Sequence, residues 1–328
     1  MRVLVTGGAG YIGSHAVREL AEAGHEVSVL DDLSHGHRDA VPAATRLVRG
    51  DLGDAESLRR ALEGAEAVLH FAGLLSVAES VARPGAYWAT NVAKGLALLE
   101  AMRAEGVARI VFSSTCAVYG MPVREAMDED HPQEPINPYG ASKMAFERVL
   151  ADHARAGQLQ AIALRYFNAA GCHTDGTLGE DHRPEEHLVP RALDAALGRG
   201  PALTIHGEDY DTPDGTCVRD YIHVQDLARA HVLALGAFGD EPFQAFNLGT
   251  GHGHSVREVV QTVERVVGRP VPAAVGPRRP GDPPRLVAAV GRGRDRLAFT
   301  VHQGELARIV ETALRWRRDH PGGYGPRG

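Results

Sequence analysis

Arg2-Val3-Leu4-Val5-Thr6-Gly7-Gly8-Ala9-Gly10-Tyr11-Ile12-Gly13 is the stretch whose reading decides the fold. Val3 to Val5 read as a buried strand. Gly7, Gly10 and Gly13 follow at intervals of three, and a helical pattern runs from Tyr11 to about Ala23. Gly7 allows a sharp turn, Gly10 leaves room for a phosphate beside the backbone, and Gly13 lets the helix pack close to the sheet. The free N–H groups of Tyr11, Ile12 and Gly13 and the positive end of the helix dipole suit a diphosphate. Three glycines alone are a weak signal; placed between a strand and a helix they have the context the motif requires.

Working outward, Glu26 to Asp32 reads as a second strand ending in two acids, with Asp31 18 residues beyond Gly13. A carboxylate there accepts from ribose hydroxyls and repels a 2′-phosphate, which favours NAD over NADP; Asp32 adjoins it. The bland alternative for Asp31 is a turn cap. A third strand, Arg46 to Arg49, ends at Asp51 and Leu52, where the carboxylate can reach an adenine amino group. Ala67 to Phe71 is a fourth strand, and the small residues Ala72 and Gly73 let a cofactor cross the chain. Pro84 opens a helical pattern through about Ala104 that contains Asn91, read as supporting the site rather than touching a ligand. Arg109 to Phe112 is a fifth strand, leading to Ser113-Ser114-Thr115-Cys116-Ala117. Alternating strands and helices predict a doubly wound parallel sheet of the Rossmann type, with ligands beyond the carboxyl ends of the strands.

Asn137 and Pro138 suit the start of a helix running to about Arg155. Tyr139 and Lys143 lie four apart on it and share a face. A phenol of pKa near 10 is a poor base at neutral pH. An ammonium one turn away favours its phenolate, and the Thr115 hydroxyl can bond the same substrate oxygen. Ala161 to Tyr166 is a sixth strand, ending at Asn168. The pattern then changes, so residues 1–169 read as the NAD-binding unit. Residues 170–328 read as a smaller α/β substrate lobe, some of which crosses back, with Ala245 to Leu248 as a return strand. Helices are expected at Pro190–Leu197, Asp226–Leu235, Ser255–Val267 and Glu305 to about Arg318.

The 328 residues carry 35 basic and 42 acidic side chains, a net charge of −7, with no basic run in the body of the chain. Nucleic acid and anionic membranes are therefore poor partners. No stretch is long and apolar enough to span a bilayer, and the opening strand lacks signal-peptide order. Three scattered cysteines fit neither zinc nor redox spacing and point to a reducing, cytoplasmic setting. The 17 histidines include His173, His182 and His187 in one loop, but their spacing shows no tight ligand set, and no metal is expected.

These motifs together resemble the UDP-glucose 4-epimerase family of the extended short-chain dehydrogenase/reductases. The resemblance runs nearly end to end. It includes Thr6 to His15, Phe71-Ala72-Gly73, Ser113-Ser114-Thr115 and Pro138 to Lys143. It continues through Arg165-Tyr166-Phe167-Asn168, Gly215 to Val224, Asn247 to Gly251 and Arg278 to Asp282. It implies that Tyr139 is the base, that Lys143 holds the nicotinamide ribose, and that Thr115 bridges to the sugar C4 hydroxyl. It places Ser113 and Tyr166 beside the cofactor and assigns Asn168, His187, Leu188, Arg219, Arg279 and Asp282 to the UDP part. NAD, a UDP-sugar, C4 epimerisation in galactose metabolism and a homodimer built on the helices near Pro84–Ala104 and Tyr139–Arg155 follow as expectations. Alternatives are epimerisation of another nucleotide sugar, such as UDP-N-acetylglucosamine or a UDP-uronate or pentose, and a non-catalytic NAD sensor. Cys116-Ala117 stands where 4,6-dehydratases carry an Asp-Glu pair, which argues against elimination. Leu74-Leu75, His206 and Leu286 depart from residues common in the family, and the smaller Leu286 would leave room for an N-acetylated sugar.

Overall fold

The computed structural model describes residues 1–279 and 281–325; Pro280, within the Arg278–Asp282 motif, lies outside them. Apolar runs that alternate with amphipathic segments form a central sheet covered on both faces. Its first strands are β1 (Arg2–Thr6), β2 (Glu26–Asp31), β3 (Arg46–Arg49) and β4 (Ala67–His70). β5 (Arg109–Thr115) and β6 (Gln160–Tyr166) follow. The short β7 (Asn168–Ala170), β8 (Leu203–His206) and β9 (Val218–His223) lie outside that sheet, and β10 (Phe243–Leu248) returns to it. The order is β10-β6-β5-β4-β1-β2-β3, and every neighbouring pair is parallel. This is the doubly wound arrangement, with one parallel strand added at the β6 edge from a distant part of the chain.

One face of the sheet buries α1 (Tyr11–Glu22), with Val3, Val5, Val17 and Leu20 among its core residues. The other buries α2 (Ala55–Leu62), with Leu4, Leu58 and Leu62. Helix α2 was not anticipated; its Asp54 cap accepts from Ser57 N at 3.0 Å. Short α3 (Val77–Ala82) and α4 (Pro84–Tyr87) precede a π-helical turn at Trp88–Ala93 and then α5 (Lys94–Ala104). The expected single helix from Pro84 to Ala104 is thus three pieces. The wide turn swings Asn91 inward, where it is buried, and such turns recur at functional sites. Helix α6 (Pro138–Arg155) packs Phe146 and Leu150 on the same face as α2 and α5.

α7 (Leu188–Ala196) starts two residues before the expected Pro190, which sits in its first turn where a missing N–H is tolerated. α8 (Val224–Ala234) crosses back and adds Leu227, Ala228 and Ala230 to the α1 core. A separate core joins α7, α9 (Val256–Val267) and α11 (Leu306–Asp319) through Leu193, Val259, Ile309 and Trp316. Ser255 and Glu258 close α9 with a reciprocal capping box. The remaining elements are β11 (Gly253–Ser255), β12 (Ala273–Gly276), β13 (Arg285–Leu286) and α10 (Gly291–Leu297). No described helix is long and apolar enough to cross a membrane.

Candidate cofactor and nucleotide site

The glycine loop is built for close approach. Gly7 has φ +72°, and a Cβ there would lie 2.6 Å from Ala72 N. A Cβ on Gly13 would lie 2.2 Å from Gly7 O. A Cβ on Gly10 would meet only Gly7 O, at 3.3 Å, so its open side is where a ligand atom fits. Gly10 caps α1 with no side-chain bond, leaving the amides of Tyr11, Ile12 and Gly13 to point at that space. These features fit a dinucleotide diphosphate. Only the backbone of Tyr11 serves it: the hydroxyl donates to Gly171 O, and the ring lies edge-on to His15 and His182. Ile12 packs its side chain against the α1 core.

Asp31 accepts from Ala9 N and Leu33 N, both at 2.9 Å, so it ties the end of β2 to the glycine loop. Each oxygen keeps a further lone pair for a ribose hydroxyl. Burial pushes its carboxyl up despite these two bonds. Exposed Asp32 is held by Ser34. Asp51 pairs with Lys94 on α5, a partner that sequence spacing did not indicate, and accepts from Gly53 N at 2.6 Å. Leu52 is a core residue. The Phe71 ring lies tilted against His231 with ring centres 4.5 Å apart. Asn91 accepts from Leu74 N at 2.8 Å and donates to Leu74 O at 3.1 Å and Ser142 Oγ at 3.0 Å. It therefore clamps the crossing at Gly73 and Leu74 to α6.

Thr115 ends β5 opposite Tyr166 of β6. Its Oγ1 accepts from Ala117 N at 3.2 Å. Ser113 Oγ and Tyr166 Oη lie 3.0 Å apart. Asn137 caps α6 by accepting from Gly140 N at 2.8 Å, which sets Tyr139 in the first turn. Tyr139 and Lys143 are 8% and 5% exposed. Lys143 Nζ donates to Ser113 O at 3.0 Å and lies 4.8 Å over the Phe112 ring. Burial lowers the Lys143 ammonium to about 8, opposed by Glu147. Burial, then Tyr166, raises the Tyr139 phenol, while the Thr115 hydroxyl acts in the opposite sense. The expected lowering of the Tyr139 phenol by Lys143 is not what the protein itself shows: desolvation is the largest influence and raises it.

A cavity of about 210 Å³ is lined in part by residues of β7, β8 and β9. Asn168, His187, Leu188, Arg219, Arg279 and Asp282, drawn from four separate segments, all line it. Thr115, Tyr139 and Lys143 do not; Asn168, two residues beyond Tyr166, is the link between cavity and strand ends. Arg219 pairs with Asp282, and Arg279 is exposed at the rim. His206 also lines the cavity. Leu75 is exposed, whereas Leu286 sits opposite Arg219 in the β13–β9 pair and packs on the cluster of Val118, Tyr119 and Phe167.

His187 has partners that sequence reasoning missed. Its Nδ1 lies 2.8 Å from Glu180 and 2.9 Å from Glu185, and His182 Nδ1 lies 3.1 Å from Glu180. One ligand atom from each of the four residues falls within 4.8 Å of the others. Both rings already face a carboxylate, so charge-assisted hydrogen bonds satisfy the group. The alternating Glu180-x-His182 and Glu185-x-His187 pattern was the available signal. His173 stands apart and pairs with Asp175 at 2.7 Å. Burial opposes the His187 charge, but Glu180 and Glu185 outweigh it and hold the imidazolium well above the ordinary value. Its stabilisation is full below about pH 6.5, the ordinary histidine value, and is lost as pH rises through the raised one. Thermal melts at a series of pH values above 6.5 should thus fall more steeply for the wild type than for His187→Asn; parallel curves would reject this.

Comparison with known proteins follows the same geometry. A family model for the NAD dependent epimerase/dehydratase family matches residues 3–249. The chain belongs to that family. It is 50% identical over 326 residues to a UDP-glucose 4-epimerase of Azospirillum brasilense, across 97% of this chain and 92% of that one. A UDP-glucose 4-epimerase from Brucella ovis, solved in complex with NAD, is 48% identical with a TM-score of 0.92, covering 95% of this chain and 97% of that one. The enzyme from Bifidobacterium longum, solved with NAD+ and UDP, is 37% identical with a TM-score of 0.94, covering 98% of this chain and all of its own. In this family member the cavity lining includes neither the glycine loop nor Thr115, Tyr139 and Lys143.

Proposed function

We infer that this chain is an NAD-dependent UDP-glucose 4-epimerase, which interconverts UDP-galactose and UDP-glucose through a 4-keto sugar. The observation that carries this reading is the buried Thr115–Tyr139–Lys143 group in a chain that also has a dinucleotide-type glycine loop and a separate cavity lined by Arg219 and Arg279. When bound, NAD supplies a positively charged ring that takes a hydride from C4 and gives it back. Tyr139 Oη removes the C4 hydroxyl proton, and the Thr115 hydroxyl holds the same oxygen. Lys143 adds a charge that favours the phenolate. Arg219 and Arg279 provide guanidinium donors for the diphosphate, and protonated His187 adds a third cation at the wall. Asn168, Leu188 and Asp282 complete the contacts to the UDP part. Anchoring by UDP leaves the keto sugar free to turn and receive hydride on its other face, after which Tyr139 returns the proton. No net oxidation occurs, so NAD is not consumed.

Residues 1–169 form the cofactor unit in this reading, with 224–248 returning to it and the remainder forming the substrate lobe. Exposed Trp88 and Leu96 support a homodimer through the helices near Pro84–Ala104 and Tyr139–Arg155, and the three free cysteines fit a cytoplasmic setting. Purified protein incubated with UDP-galactose and no added cofactor should yield UDP-glucose by NMR. No conversion by NAD-loaded protein would overturn the assignment.

A further inference from the structure

Behind the catalytic strand end lies a buried charge network that the reaction as described does not use. Glu147 is 3% exposed and Arg165 is 5% exposed. Glu147 sits on α6 one turn beyond Lys143, on the same face. Arg165 grips it in a fork: Nε donates to Oε1 at 3.0 Å, and Nη2 donates to Oε2 at 2.6 Å. Ser114 Oγ donates to Glu147 Oε1 as well. Ser114 and Arg165 are direct neighbours across β5 and β6. Arg165 Nη1 donates onward to Tyr119 Oη at 3.1 Å and to Glu129 O at 3.2 Å.

Successive strand residues face opposite sides, so Ser114 points away from the face of Ser113 and Thr115. The network therefore grips β5 from behind, one residue before Thr115, and joins it to the helix that carries Tyr139 and Lys143. An ion pair this deeply buried is a poor source of stability when compared with apolar packing, so its placement asks for another explanation. We propose that Glu147 is a positioning residue for the epimerase reaction inferred above: it clamps the Ser114–Thr115 strand end to α6 and is the anion that faces Lys143.

The charged groups around it are few. Arg165 meets Glu147 from β6, and Lys143 lies on its own helix. Glu129 turns its carboxylate to Asn247 N at 2.8 Å and toward Arg292. Lys143 meets His70 from β4 and the Ser113 carbonyl and Phe112 ring from β5. Burial and the nearby Lys143 hold His70 well below the ordinary histidine value, which leaves Glu147 as the countercharge.

Two variants separate geometry from charge. Ser114→Ala removes one hydroxyl that touches neither nucleotide site. It should lower kcat by about tenfold, because small misplacements of reacting groups are costly. KM for UDP-galactose and bound NAD per chain should remain at wild-type levels. Glu147→Gln keeps the shape and an acceptor oxygen but loses the charge. It should lower kcat and also move the alkaline fall in kcat to lower pH. The chain has only two lysines, Lys94 and Lys143, so NMR of protein labelled at the lysine side chains follows the Lys143 titration without any turnover. That midpoint should drop in Glu147→Gln and stay in Ser114→Ala. Wild-type kcat with an unmoved Lys143 titration would overturn the proposal. So would losses of kcat that merely track lost NAD and folded protein. If Glu147→Gln does not fold, the kcat-to-KM split in Ser114→Ala decides. Wild-type turnover tests the activity itself; only the difference between variant and wild type tests Glu147.

Discussion

Tyr139→Phe protein should bind NAD as the wild type does and lose about a thousandfold in turnover of UDP-galactose, within the range that a positioned acid–base group contributes. The substitution deletes one oxygen. The ring stays in its buried site, edge-on to Tyr87 at 6.4 Å, so the fold has no reason to change. What is lost is the group proposed to exchange a proton with the C4 hydroxyl alongside Thr115. Lys143 should set the alkaline side of the wild-type profile. Its ammonium is lowered to about 8 by burial, and a lysine is charged below its pKa, so turnover should hold below that value and fall above it. NMR of the sugar nucleotides gives the rates, and absorbance of the purified protein gives the bound cofactor. A loss of less than about tenfold would mean that another group carries the proton. A protein that loses NAD along with turnover would mean that Tyr139 is a cofactor anchor instead.

The second large effect is expected at the glycine loop. In Gly13→Ala the new Cβ would sit 2.2 Å from Gly7 O and 3.0 Å from Gly8 Cα. Both are backbone atoms, so no side-chain rotation relieves the clash, and the N-terminus of α1 must retreat from the loop. That removes the amides aimed at the diphosphate. The protein should purify without NAD, and overpacking of this kind costs about 1–3 kcal/mol of stability. Gly10→Ala separates the two consequences. Its Cβ would meet only Gly7 O at 3.3 Å and otherwise project toward the ligand side. It should melt close to the wild type yet also lose NAD. Equal NAD content in wild type and both variants would reject the loop as the diphosphate site.

Much of this was legible before any coordinates. The parallel sheet followed from strand–helix alternation, and the glycine spacing marked its first crossover. Tyr139 and Lys143 fell on one face because helical periodicity puts them there. Asn137 capped α6 because its side chain reaches three residues ahead. Each of these depends on neighbours a few residues apart, where the geometry of the chain is nearly independent of the rest of the molecule. The helix at Ala55–Leu62 is equally local, and Asp54 three residues before Ser57 is its signal.

Other features required the assembled fold. The π-helical turn in the Pro84–Ala104 segment leaves no periodic mark, because its purpose is to bring Asn91 to Leu74 and Ser142, 17 and 51 residues away. Lys94 meets Asp51, and Arg165 meets Glu147, only because particular helices cross particular strands. The six residues assigned to the UDP part came from family resemblance, and one cavity now holds them all. The amino-acid sequence by itself determined the sheet, the crossover and the chemical identity of the reacting groups, since these rest on backbone periodicity and side-chain type. Tertiary structure alone decided which charges are buried together and how acidic Tyr139 and Lys143 are, because desolvation and electrostatic pairing depend on distances that the order of residues does not contain.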